Sequence, residues 1–199
     1  MSPEELRIII IVYASAIIPL ILLCALWTKI PKWILKLYVI FFLVCAFGWE
    51  VWFNYGLFNG DSVNLRRSDV LNQWLPQDIN WILNSLADAG TISLGGLYLV
   101  WVASKKNPNV FKKWSWGSFI ILLVWCVGQN LFVEMFLYHD QLSIGKKLSW
   151  APLSPLGDFY NPMLFEFKSR TVMLQTQLPW LFTSLIIYYF SIKINKKSG

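Results

Sequence analysis

Glu50 stands in an apolar run, Val44 to Phe58, within a segment long enough to span a bilayer. A charged side chain at membrane depth costs on the order of 2.5 to 3.5 kcal/mol on insertion scales, so such a carboxylate ordinarily faces a bundle interior and marks a site. Asp88 has the same standing in a later segment. There Asn84, Asp88, Thr91 and Gly95 follow at offsets of four, three and four, which puts them on one helical face. Gln129, Asn130 and Glu134 mark a third segment, and Gln175 and Gln177 a fourth. Two carboxylates in one low-dielectric pocket do not both ionise cheaply, so one of them can hold a proton and donate it. Trp49, Trp52 and Phe53 flank Glu50, and aromatic faces stabilise a cationic ligand or intermediate at close range. Trp125 and Trp180 are further aromatic candidates whose facing the sequence leaves open.

The elements that must carry these residues are membrane helices. The 199-residue chain is 56% hydrophobic, with a mean hydropathy of +0.51, and its apolar residues come in blocks. Five segments of bilayer-spanning length are predicted at about 7–28, 34–58, 79–103, 115–138 and 170–192, forming one all-α, polytopic domain over 1–199. Lysines cluster after the first, third and fifth segments (Lys29, Lys32 and Lys36; Lys105, Lys106, Lys112 and Lys113; Lys193, Lys196 and Lys197). The positive-inside rule makes those flanks cytoplasmic and puts the N-terminus outside or in a lumen. The net charge of +6 is spread between apolar segments and forms no groove-fitting face, which argues against nucleic-acid binding.

The acidic flank and long apolar run of the first segment do not resemble a signal peptide. Cys24, Cys45 and Cys126 fall within spanning segments, so no disulfide framework is expected. One His and no spaced Cys pair argue against a metal centre, and no cofactor is implied. The first outer loop, Asn59 to Asp78, has nearly cancelling charges and reads as a solvated cap, with Asp78 as a first-turn acid for the next helix. The second, His139 to Lys168, carries Pro152, Pro155, Gly157 and Pro162 and reads as irregular, long enough to form a lid.

Counting residues at about 1.5 Å of rise each puts Glu50 and Asp88 roughly 12 to 14 Å below the outer surface, with Asn130, Gln175 and Gln177 near the same level and Glu134 closer to the surface. Polar groups on four helices at one depth describe an enclosed pocket. Asn84, Thr91 and Asn130 also suit plain interhelical hydrogen bonding, worth about 0.6 kcal/mol per contact. Glu50 and Asp88 cost more than such contacts return, and Glu134 suits either role.

Glu50-Val51-Trp52-Phe53 followed by Gly60-Asp61, Asp88 eight residues before Gly96 with Trp101 beyond, Val127-Gly128-Gln129, and Asn161-Pro162 running through Phe165 and Phe167 to Pro179 occur in one order across helices two to five. In this the chain resembles the emopamil-binding protein family, the EXPERA group that includes sterol double-bond isomerases. The resemblance implies five helices around an intramembrane site where an acid protonates a ring double bond, a carbocation forms beside carboxylates and aromatic rings, and loss of a neighbouring proton shifts the double bond. It also implies binding of cationic amphiphilic amines. Glu50 would match the family's helix-two carboxylate, and Asp88 would replace its helix-three Glu. The family's His one turn before the helix-two Glu is Ala46 here, and its helix-five Asn and Trp are not matched in place.

The expected activity is therefore double-bond isomerisation in a sterol-like lipid, with Glu50 and Asp88 catalytic. Trp49, Trp52, Phe53, Asn84, Thr91, Gln129, Asn130, Glu134, Gln175 and Gln177 would contact the substrate. A non-catalytic binding protein with the same pocket, or a small transporter or assembly subunit, are the alternatives, although no internal repeat supports transport. Partners would be a hydrophobic or cationic amphiphilic ligand and membrane lipid, with a homodimer left open. Lys196-Lys197-Ser198-Gly199 resembles a dilysine retrieval signal, which would place a eukaryotic chain in the endoplasmic reticulum; a bacterial one would sit in the inner membrane.

Overall fold

A computed structural model of the chain describes residues 1–56, 62–137, 162–167 and 170–198. The described residues are 81% helical, and among them four helices are long and apolar enough to cross a membrane: Pro3–Ala25, Lys32–Tyr55, Gln77–Ala103 and Trp116–Leu137. Gly60, Asp61, His139 and Asn161 lie outside the described residues.

Helix α1 (Pro3–Ala25) opens on a reciprocal cap in which the Ser2 amide donates to Glu5 Oε2 at 2.6 Å and the Glu5 amide to Ser2 Oγ at 3.2 Å. The second span divides into α2 (Lys32–Phe47) and α3 (Trp49–Tyr55) at Gly48, where a single uninterrupted helix was expected. A Cβ on Gly48 would lie 2.4 Å from the Val44 carbonyl oxygen, so only glycine allows this close approach. Trp81 Nε1 donates to the Ala46 carbonyl at 2.7 Å and satisfies an oxygen at the break. Gly56 ends α3 in the left-handed region, at φ 63°, a conformation glycine adopts without steric cost.

Short helices α4 (Val63–Arg66) and α5 (Asp69–Trp74) lead into α6 (Gln77–Ala87). This cap is not simply solvated: Arg66 and Arg67 are only 1% and 5% exposed. Their charges are taken up by oxygens, since Arg66 Nη2 donates to the Phe53 carbonyl and Arg67 Nη2 to that of Leu75. Helix α6 continues through a π-helical stretch, Asp88–Leu94, into α7 (Gly95–Ala103). A 3₁₀ turn, Pro108–Phe111, precedes α8 (Trp116–Phe132), which also ends in a π-helical stretch, Val133–Leu137.

Further along the chain, β1 (Met163–Phe167) pairs antiparallel with β2 (Arg170–Met173), and α9 (Leu174–Ser198) follows. The hairpin corrects both the all-α expectation and the helix start at 170. Its Phe, Thr and Val residues suit a pleated surface, and a bulge between Met163 and Phe165 absorbs the odd residue of register.

Two apolar cores flank the middle of the molecule. One joins α2, α7, α8 and α9 through residues such as Leu37, Phe41, Val100, Leu122 and Tyr188; the other joins α1, α5 and α6 through Ile8, Ala16, Leu71, Leu75 and Leu83. Helices α7 and α8 approach closely at Gly96, where a Cβ would meet Leu122 Cδ1 at 2.5 Å and Trp125 Cδ1 at 2.8 Å. Ile10, Ile17, Ile18 and Ile21 stay exposed along α1, as on a lipid-facing surface.

Candidate functional site

A cavity of about 280 Å³ draws its lining from both sides of the molecule. The break at Gly48 sets α3 so that Trp49, Glu50 and Phe53 face it. Asn80 and Asn84 of α6 and Asp88 and Thr91 of the π-helical stretch form a second wall, and Trp125, Gln129 and Asn130 of α8 with Thr176 and Trp180 of α9 form a third. Ile11, Val12 and Ser15 of α1 complete it. Glu50 and Asp88, identified in the sequence as the costly intramembrane carboxylates, line the same space.

Each carboxylate is held by side-chain donors, Glu50 by Asn84 of α6 as well as by its own helix. Asn54, one turn after Glu50, donates through Nδ2 to Glu50 Oε2 at 2.9 Å and to its main-chain oxygen at 2.8 Å. Trp49 Nε1 donates to Asp88 Oδ2 at 2.7 Å, so the Trp49 indole both walls the cavity and fixes the second carboxylate. Its ring stands edge-on to Trp180, with centroids 5.3 Å apart. Trp125 donates to the Ile92 carbonyl at 2.9 Å, inside the π-helical stretch. The π-helical stretches begin at or next to a carboxylate, the half-buried Asp88 and the buried Glu134, and such departures from the α-helix recur at functional sites. The site thus offers two oriented carboxylates within walls of indole and phenyl rings, an arrangement that accepts positive charge.

Of the residues named from sequence, Trp49, Glu50, Phe53, Asn84, Asp88, Thr91, Gln129 and Asn130 line the cavity. Three are placed elsewhere. Trp52 lies two residues from Glu50, roughly 160° around the helix, and is not part of the lining. Glu134 is buried at 2% exposure behind the wall, where it accepts from Thr176 Oγ1 at 2.7 Å and from Gln177 Nε2 at 2.6 Å. Gln177 is drawn away from the cavity by the same contact, and its Oε1 accepts from Asn130 Nδ2 at 2.9 Å. The Gln175 side chain lies outside the described residues. Thr91 and Gln129 are partly spent on backbone, donating to the Ser15 carbonyl at 2.6 Å and the Cys126 carbonyl at 2.9 Å.

Asn80 and Thr176 line the cavity without having been singled out in the sequence. Asn80 was legible in part, since it lies one turn before Asn84 and two before Asp88 on the same face.

A mostly helical protein with membrane-length helices, enclosing a two-carboxylate aromatic cavity, is the class that fold and site define. Compared with protein families, with curated proteins and with solved structures, the chain matches none.

Proposed function

We propose that this chain is a five-helix membrane protein that takes a sterol-like or cationic amphiphilic lipid into the cavity and shifts a carbon–carbon double bond in it. Helix α9 supplies the fifth span, with the N-terminus outside or luminal and the lysine-rich C-terminus cytoplasmic. The observation that carries the reading is that Glu50 and Asp88 share one cavity walled by Trp49, Trp125, Trp180 and Phe53.

In the proposed reaction one carboxylic acid transfers its proton to a double-bond carbon, which leaves a carbocation on the neighbouring carbon. The carboxylates and indole faces stabilise that charge. The second carboxylate removes a proton from the adjacent carbon, the C–H electron pair forms the new double bond, and the cation is discharged. At about 280 Å³ the cavity lies near the lower end of the ~300–1,000 Å³ common for ligand pockets, so it suits the reacting ring or charged head while the remainder of the ligand lies toward lipid.

The test is to incubate the detergent-purified protein in heavy water with a sterol carrying the ring double bond in its starting position. Mass spectrometry then follows double-bond migration and deuterium uptake. Deuterated, shifted product that disappears in Glu50→Gln is the expected result; retained turnover in that variant overturns the assignment.

A second reading is a non-catalytic binding protein using the same cavity. Ala46 favours it, being 1% exposed with its carbonyl engaged by Trp81, so position 46 offers no imidazole to the site. Thermal stabilisation by a cationic amphiphilic amine without product would select this reading.

A further inference from the structure

One hydrogen-bonded chain runs from the outer cap into the cavity. Arg67 Nη1 donates to Asn80 Oδ1 at 3.2 Å, Asn80 Nδ2 donates to Asn54 Oδ1 at 2.7 Å, and Asn54 Nδ2 donates to Glu50 Oε2 at 2.9 Å. Every link points the same way. Each amide accepts through its oxygen from the arginine side and donates through its nitrogen toward the carboxylate. The donor–acceptor order is set by the two ends, because a guanidinium only donates and an ionised carboxylate only accepts. Arg67, Asn54 and Asn80 are 5%, 0% and 3% exposed, so the polarisation along the chain is little screened by water.

We propose that Arg67 is a positioning residue for Glu50, acting through Asn80 and Asn54 to fix Oε2 as an acceptor. The consequence for the ligand rests on Glu50 being the group that meets it, but the relay is read from the protein alone. Arg67 stays cationic at neutral pH even though burial, and then the neighbouring Arg66, push its guanidinium down to about 10. Its remaining donors hold it in place, with Nε on Asn72 Oδ1 at 2.8 Å and Nη2 on the Leu75 carbonyl. An arginine that served only to close the cap would be satisfied by those two acceptors. Its third contact, on Asn80, is the one that connects the cap to the cavity.

The relay is tested without ligand by infrared spectroscopy of the full-length protein in nanodiscs. The carboxyl absorption lost in Glu50→Gln identifies the Glu50 band. Asn80→Leu cuts the chain while leaving Arg67 its other two acceptors, and Arg67→Gln removes the charge. Both variants are expected to move the Glu50 band in the same direction, and the double variant is expected to move it no further than Asn80→Leu alone. A purely structural role would lower the thermal midpoint and leave the band in place. An unmoved band in folded Asn80→Leu overturns the proposal, as does full additivity in the double variant. Should Arg67→Gln fail to fold, Arg67→Lys replaces it, since the ammonium keeps the charge but cannot serve three acceptors in fork geometry; a Glu50 band at its wild-type position in that variant overturns the proposal. Because no ligand is present, failure of the relay and failure of the proposed isomerase are separate results.

Discussion

Glu50 and Glu134 are both glutamates buried in helices long and apolar enough to cross a membrane, and their surroundings differ in kind. Glu50 is hydrogen-bonded by the Asn54 and Asn84 amides and still lines open space, with Asp88 on the neighbouring wall. Glu134 is held by a hydroxyl and an amide of α9 behind the cavity wall, and its bonds fasten α8 to α9. Burial of a carboxylate is thus compatible with two uses, and the distinction lies in whether unfilled space remains beside it. A carboxylate closed in by the donors of a neighbouring helix is a fastening; one that borders a cavity can meet a ligand.

The sharpest way to break this contrast is to neutralise each glutamate in turn. Glu50→Gln is expected to reduce turnover by on the order of 10²–10⁴-fold, the range for losing a general acid or base, with the helical content unchanged. Glu134→Gln is expected to leave turnover in place. The two are compared in the heavy-water assay with circular dichroism as the control, and an equal loss in both would erase the distinction.

The second largest effect is expected at the Asp88 end. Trp49→Phe keeps an aromatic wall but removes the donor to Asp88 Oδ2, and a hydrogen bond to a charged group is worth about 1.5–3 kcal/mol. Chemical denaturation in detergent would read the loss of stability. Little change would mean that Asp88 finds its partner elsewhere. Glu134→Ala sharpens the comparison from the other side. It removes an acceptor that Thr176 and Gln177 share, at about 1–3 kcal/mol of stability, while the affinity for a cationic amphiphile stays that of the parent.

The legible part of the site follows from the same physics. Glu50 and Asp88 could be found because an intramembrane carboxylate is costly enough to demand an explanation, and Asn84 and Thr91 because helical offsets join them to Asp88. Trp52 was named for its proximity in sequence, whereas facing decides which residues line the cavity. The relay was hidden because Arg67, Asn80 and Asn54 come from the outer cap, α6 and α3, and no spacing in the chain relates the first to the others. Asn54, four residues after Glu50, and Asn80, four before Asn84, stood at helical offsets that could have exposed part of it. The π-helical stretches escape a reading based on 3.6 residues per turn, which is why Gly95, expected on the polar face, instead comes up beside Trp125. The hairpin was hidden by the Pro and Gly signals of the sequence before it.

The smallest expected effect concerns Thr91, where the two kinds of polar residue meet in one side chain. Thr91 lines the cavity, yet its hydroxyl is spent on the Ser15 carbonyl at 2.6 Å, which ties α1 to the π-helical stretch that begins at Asp88. Thr91→Val keeps the shape and removes the bond. If the hydroxyl is fastening, stability falls by about 0.6 kcal/mol, the average for an interhelical hydrogen bond in a membrane, and turnover is retained. If it also presents itself to the ligand, turnover falls with no matching change in stability. Denaturation and turnover measured on the same preparation separate these outcomes, and the second would move Thr91 from the Glu134 side of the comparison to the Glu50 side.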